Sequence, residues 1–378
     1  MEYLPTSVLK GVDVFLHAPL VAHLANLLFT EGCFPDRYKR AQVTPLMKHP
    51  GLDADNPTNY RPIFNLTTIS KIIERLVLAI FRGHITGSQS FNVSQSAYRR
   101  HHSTETALLC ILKDIYGKID QGHSTLLVGL DLSAAFDTVE HSVLVTRLKR
   151  SFGVRGVLLT RIESYLIDRT QFIRLGSSSS AVTQCPCGVP QGSVLGPLLL
   201  VAYISSTSNT AAQFGVGTQM YVALSPTHIN TSISNLQNCF TAVHLWFSQN
   251  GLVINPVESE AIIFSTAQRA RKTLTAIKQV DVASCQVQVL NSVNVLGITL
   301  DQHLTFKDHV QNVCKSAQYY TRALRQIRFS LTADMAKTVA SALVNPRFDY
   351  ANDVLYDASE HDLAKLQLAQ NALVRYLH

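Results

Sequence analysis

The chain has 378 residues, 46% of them hydrophobic and only 16% charged, which supplies a sizeable core and excludes wholesale disorder. Its 33 Lys and Arg against 26 Asp and Glu leave a net charge of +7, so a polyanionic partner suits the balance without being required by it. Seven cysteines, with one C-x-C pair and no C-x-x-C, support neither a disulfide framework nor a zinc site. The start, MEYLPTSVLK, lacks a basic segment followed by an apolar run, and no stretch is apolar for long enough to span a bilayer. The expectation is an intracellular protein, nuclear or cytoplasmic, with no membrane partner.

In chain order, the pattern predicts a helix over Pro19–Glu31, a strand over Ala41–Met47 and a loop from His49 to Thr58. Apolar residues at Ile69, Ile72, Ile73, Leu76, Val77 and Ile80 have helical spacing, and Thr104–Tyr116 reads the same way. Thr125–Leu130 is a short apolar strand, Thr138–Phe152 an amphipathic helix, and Val194–Ile204 a helix apolar all round and therefore buried. A strand at Met220–Leu224, a helix at Leu236–Ser248 and a strand at Val293–Leu300 follow. Phe306–His378 is mostly helical with a break near Pro346. No internal repeat is visible. From Leu175 to Val257 there is no Asp, Glu, Lys or Arg, which marks this stretch as the centre of the fold. Strands in the middle and helices at the end give an α+β class.

Three runs carry chemistry. Leu126–Leu130 is an apolar strand that delivers Asp131 at its tip, as a metal or substrate site requires; an Asp capping the following helix is the alternative. Gly188-Val-Pro190-Gln191-Gly192 through Pro197 is a rigid loop whose backbone can approach a flat ligand, or simply a turn that starts a helix. Gln42–Lys48 and Asn59-Tyr-Arg61-Pro-Ile place two cations, Lys48 and Arg61, on a strand–loop–strand suited to phosphates.

In this order and spacing the runs resemble the reverse transcriptase of non-LTR (LINE-type, jockey-like) retrotransposons, over nearly the whole chain. Gln95-Ser-Ala-Tyr-Arg99, Asp168-Arg-Thr-Gln-Phe172, Trp246-Phe with Asn250–Pro256, Leu296-Gly-Ile and Leu363–Gln367 add to the likeness. The resemblance implies a right-hand fold: fingers over 1–124, palm over 125–300 with a finger-like insertion at about 150–183, and a helical thumb and extension over 301–378. It implies extension of a primer on an RNA or DNA template, from deoxynucleotides, by two divalent ions, Mg²⁺ or Mn²⁺. By the same resemblance Asp131 and the Leu132 carbonyl are metal ligands, and Phe136 is the gate that excludes a 2′-hydroxyl. Gln191 and Gly192 pack on the nascent base pair, Lys48 and Arg61 neutralise the triphosphate, and Asp137 is structural, bonded to backbone or a cation. The helices from Lys307 grip the duplex.

The chain departs from the family where the chemistry is concentrated. The family's Tyr-Ala-Asp-Asp hairpin is missing; Gln213-Phe-Gly215-Val-Gly217 runs directly into Thr218-Gln-Met-Tyr221, as a short deletion would leave it. Asp168 is the last acidic residue before Glu258, so no substitute is near in sequence. In Asn255-Pro-Val-Glu258-Ser-Glu260 a Glu stands where the family has Lys, in what is expected to be a loop beside the triphosphate. Phe64 replaces a Ser. With one carboxylate left, the ion that activates the primer hydroxyl loses its site and Mg²⁺ binding is expected to be weak. Three readings compete: a catalytically silent domain that still binds nucleic acid, an active polymerase whose gene model omits the hairpin, or a relic without function.

Overall fold

The computed structural model describes Asn26, Thr30 and residues 32–377, other than 49–50, 206–211, 215–216, 226–227, 274–276 and 283–284. The expected helix Pro19–Glu31 lies outside these residues except at Asn26 and Thr30, which are helical. The chain divides into two compact units, each discontinuous in sequence.

The first unit comprises residues 1–100, 132–216 and 243–254. Its sheet is built on strands β1 (Arg40–Met47) and β2 (Tyr60–Asn65), which pair antiparallel with Leu46 opposite Arg61. The parallel neighbour of β1 is β4 (Thr170–Leu175), which also pairs with the two-residue strands β5 (Ser178–Ser179) and β6 (Thr183–Gln184). Alternation sends Ala41 and Val43 inward, where they form one buried cluster with Phe64 and Leu66. Helix α1 (Thr68–Thr86) starts at Thr67, whose hydroxyl accepts from the Ser70 N–H, and buries Ile73, Val77, Phe81 and Ile85 at helical spacing.

The helix expected from Thr138 begins only at His141 (α3, His141–Arg150), because the preceding residues are tied into a turn. Helix α4 (Gly156–Leu166) follows, unforeseen from the sequence. Helix α5 (Gly196–Ile204) is buried throughout from Leu198 to Ile204, as its uniform apolarity required. The charge-free stretch is not all core, however. Ser178–Gln184 is exposed, since Ser, Thr and Gln hydrate well without charge.

The second unit comprises residues 101–131, 217–242 and 255–378. Helix α2 (Thr104–Asp120) opens with a capping box between Ser103 and Thr106. Strand β3 (Ser124–Ser133) pairs antiparallel with β8 (Gly217–Leu224) in a register that sets Leu127 opposite Tyr221. A short strand β7 (Ala212–Phe214) precedes β8 in the chain. On the other side of β3 lie β9 (Val253–Phe264), β11 (Cys285–Leu290) and β10 (Gln279–Val282), in that order. Asn255–Glu260 is therefore strand, not the expected loop.

Val293–Leu300 is likewise two strands, β12 (Ser292–Val295) and β13 (Ile298–Asp301), turning at Leu296–Gly297. Helix α6 (Ile229–Gln249) runs longer than expected at its start, and α7 (Ala267–Thr273) follows β9. The C-terminal helices α8 (Lys307–Ile327), α9 (Ala333–Leu343), α10 (Asn345–Asp349) and α11 (Glu360–Leu377) share a core of Ala317, Leu324, Ala340, Val344, Phe348 and Leu373. Pro346 sits in the first turn of α10, where its missing N–H does no harm. Among the described residues no helix is long and apolar enough to cross a membrane.

Candidate active site

In the first unit, the β1–β2 ribbon brings the two predicted cations together. Side chains opposite one another in an antiparallel pair share a face, and so do residues two apart. Leu46 faces Arg61, so Lys48 falls on the same face of the ribbon; the Lys48 N–H donates to the Asn59 carbonyl at 2.8 Å and closes it. Arg61 is exposed and Lys48 half-buried.

The predicted loop docks against this ribbon through its backbone. The Phe64 N–H donates to the Gln191 carbonyl at 2.8 Å. Gly192 has φ +109°, and a Cβ there would stand 2.8 Å from the Phe64 carbonyl oxygen, so only glycine fits. Phe64 thus serves the loop with its backbone while its ring is buried in the ribbon core, which is why the departure from Ser is accommodated.

The other end of the loop is laced to the turn after β3. The Gly188 N–H donates to Val139 O at 2.8 Å, the Val189 N–H to Phe136 O at 2.7 Å, and His141 Nε2 to Gly188 O at 2.8 Å. A Cβ on Gly188 (φ +87°) would meet Phe136 and Asp137 backbone atoms at 3.0 Å. Phe136, Gln191 and Gly192 are therefore held as one piece. Asp137 is not bonded as expected. Among the described residues its carboxylate has no hydrogen bond or ion pair, and burial pushes its pKa up. It lines a cavity of about 290 Å³ with Val43, Phe64, Arg169, Cys185 and Pro190.

Sequence reasoning missed the residue beneath the loop. Glu74 of α1 is fully buried and accepts from the Val194 and Leu195 N–H groups, at 2.7 and 3.0 Å, and from the Ser70 hydroxyl at 3.1 Å. It caps the start of α5 from 120 residues away. Burial raises its pKa, outweighing these bonds and the nearby Arg169. The available signal was an acid at an inward position of an apolar helix. A second, half-buried support is Arg147, whose guanidinium lies over the Tyr203 and Trp246 rings and donates to the Asn250 side chain at 2.6 Å.

In the second unit, Asp131 lies one step beyond Leu130 and Thr218, the last pair of the β3–β8 ladder. Residues 215–216 of the join lie outside the described residues, and Gly217 begins β8. The Asp131 N–H donates to Ser259 Oγ at 3.3 Å, and that hydroxyl donates to Asn255 O at 2.7 Å. Ser259 is flanked on β9 by Glu258, which is exposed, and by Glu260, which accepts from the Asn294 N–H at 3.1 Å. On β8 the Tyr221 hydroxyl donates to the Asp114 carboxylate on α2, and burial raises its pKa.

A two-ion centre needs carboxylates that bridge ions about 3.5–4 Å apart. Among the described residues no three of His, Cys, Asp and Glu are grouped to hold a metal. Asp131 with the Leu132 carbonyl does not amount to that donor set, so the residues present do not fit the pair of ions the resemblance implies.

A family model for reverse transcriptase (RNA-dependent DNA polymerase) matches residues 47–300. The chain is 27% identical to a probable RNA-directed DNA polymerase from transposon BS of Drosophila melanogaster, over 99% of this chain and 43% of that protein. It is 24% identical to the RNA-directed DNA polymerase from mobile element jockey of the same species, over 94% of this chain and 39% of that protein. It thus spans less than half the length of these relatives. Among solved structures, apo telomerase from Candida tropicalis superposes with a TM-score of 0.50 at 9% identity, covering 96% of this chain and 68% of that one, a likeness of fold alone. The chain belongs to the reverse transcriptase family, with the right-hand polymerase fold and the RNA-directed DNA polymerases of non-LTR retrotransposons as its relatives.

Proposed function

We propose that this chain is the polymerase region of a retrotransposon reverse transcriptase that binds primer–template and nucleotide but does not extend the primer. The observation that carries the reading is the end of β3: Asp131 stands beyond the last paired residues, and the strand opposite offers Gly217 instead of a carboxylate. Lys48 and Arg61, on one ribbon face, take the triphosphate. The Gln191–Gly192 loop takes the base pair, Phe136 excludes the ribose hydroxyl, and the exposed cations Lys315, Arg322 and Arg325 of α8 grip the duplex backbone. A Mg²⁺ or Mn²⁺ ion at Asp131 and the Leu132 carbonyl is held weakly at most. Losing several kcal/mol of charge stabilisation, at about 1.4 kcal/mol per decade, costs roughly three or more decades in rate. The exposed Glu258 repels the triphosphate as well.

One observation favours a second reading, an active polymerase whose gene encodes a hairpin absent from this chain. The β3–β8 register runs unbroken from Ser124↔Leu224 to Leu130↔Thr218, so the strand frame below the lost tip is intact. Sequencing the transcript across Phe214–Thr218 separates the two. Extension of a homopolymer template by the purified chain tests the first.

A further inference from the structure

Helix α1 has two working faces. Its inner face, with Ile73, Glu74, Val77 and Phe81 buried, holds the start of α5 beneath the nucleotide loop. Its outer face borders an open groove of about 500 Å³ lined by Arg75, Ala79, Arg82, Gly83 and, from the segment beyond the helix, Arg100.

Several features of that outer face lack a structural explanation. Arg75 and Arg82 lie two turns apart, about 10 Å along the axis. Both are exposed, and among the described residues neither side chain has a hydrogen bond or ion pair. Glu74, the one acid on the helix, is turned inward and engaged with α5, so the charge left on the helix is cationic: Arg75 and Arg82, exposed, and Lys71, half-buried. Lys71 and Arg75 are four residues apart, a spacing at which like charges weaken a helix. Ala79 and Gly83 keep part of the groove floor at backbone level, with Leu78 and Thr86 beside them. A Cβ at Gly83 would meet nothing within 4 Å, so neither packing nor backbone conformation calls for glycine in a helix interior that it weakens. No aromatic ring lines the groove, so it offers charge without a platform for bases to stack on.

We propose that this outer face is a second nucleic-acid contact, separate from the nucleotide loop, that takes the phosphodiester backbone of a nucleic-acid duplex through Arg75, Arg82 and Arg100 without reading its bases. The proposal rests on the nucleic-acid-binding reading above. A shallow helix face between forked cations suits the backbone of a duplex, and guanidinium groups match phosphate geometry. Binding here is set by charge and shape, and so depends on salt rather than sequence.

The test is fluorescence anisotropy of a labelled blunt RNA duplex, and of a DNA duplex of the same sequence, titrated with the full chain from low to moderate salt. Arg75→Gln with Arg82→Gln removes two phosphate contacts. The plot of log affinity against log salt then becomes shallower by about 1.8, and affinity near 0.1 M salt falls roughly ten- to a hundredfold. A control pair, Lys149→Gln with Arg150→Gln, removes the same charge from the exposed end of α3 and leaves the slope nearly unchanged. Far-ultraviolet circular dichroism checks that the helix persists. An unchanged slope in the Arg75/Arg82 variant, or an equal change in the control pair, overturns the groove assignment while leaving the main reading standing. Equal slope changes on the RNA and DNA duplexes support a site that takes the phosphodiester backbone; a change confined to one of them overturns it. No binding by the unaltered chain overturns both this inference and the nucleic-acid reading beneath it.

Discussion

By resemblance the loop Gly188–Gly192 and the end of β3 correspond to two halves of the family's chemistry, and the chain holds them by different means. The loop is tied down by backbone bonds at Phe64, Phe136 and Val139, and the start of α5 just beyond it by a buried carboxylate at Glu74. Removing any of these leaves buried groups unpaired, so the fold itself enforces the loop. At the end of β3 the Asp131 N–H donates to the Ser259 hydroxyl, and the family's Tyr-Ala-Asp-Asp run is missing from the sequence that leads into the facing strand. Carboxylates gathered to hold ions repel one another when the ions are absent, so losing them costs the fold little. On the proposed reading, positions that serve both fold and chemistry are kept by the fold, while positions that serve chemistry alone are free to change.

The largest expected effect comes from reversing the drift. Inserting Tyr-Ala-Asp-Asp between Phe214 and Thr218, together with Glu258→Lys, raises primer extension by roughly three decades or more above the unaltered chain in a homopolymer assay. If the loop is as firmly enforced as its bonds indicate, Glu74→Ala destabilises the protein by about 2–4 kcal/mol in urea melts, because the Val194 and Leu195 N–H groups lose their acceptor. Gly192→Ala, facing the Phe64 carbonyl with a positive φ, costs about 1–3 kcal/mol in the same measurement and weakens nucleotide binding.

Smaller effects sharpen the contrast. Arg61→Ala weakens deoxynucleotide binding about tenfold by equilibrium titration, with a lesser effect on duplex binding. The smallest effect is in pH. Glu74 has a pKa raised above its unfolded value of 4.5, so its protonated form is favoured by the fold. Its contribution is fully present below about pH 4.5 and is lost as pH rises through the raised value. Glu74→Gln removes that portion of the stability–pH slope, which urea melts across the acid range detect.

Much of this was legible in the sequence. The alternation through Ala41 and Val43, the helical spacing from Ile69 and the uniform apolarity of Leu198–Ile204 each fixed an element, because local period and burial agreed. Strand β9 was hidden: Pro256 argues against a strand, and Ala261–Phe264 is apolar without period. The sequence pattern over Val293–Leu300 gives one strand and hides the β12–β13 hairpin, because Leu296 adopts a positive φ that its side chain does not announce. Glu74 could be seen as an acid in an apolar helix, but its partners are 120 residues away and emerge only from tertiary packing. Asp131 at a strand tip, the Lys48–Arg61 cation pair and the Gln191 loop stand out from the residues themselves, their roles and that of Phe136 come from the resemblance, and the bonds that hold the loop require the fold.

The most direct test is primer extension on a homopolymer template by the chain with its present sequence, in Mg²⁺ and in Mn²⁺, beside an Asp131→Ala variant. The expected result is no extension above background for either protein. Metal-dependent synthesis by the unaltered chain that disappears with Asp131→Ala would contradict the account, because another group would then have to complete the ion site at the end of β3.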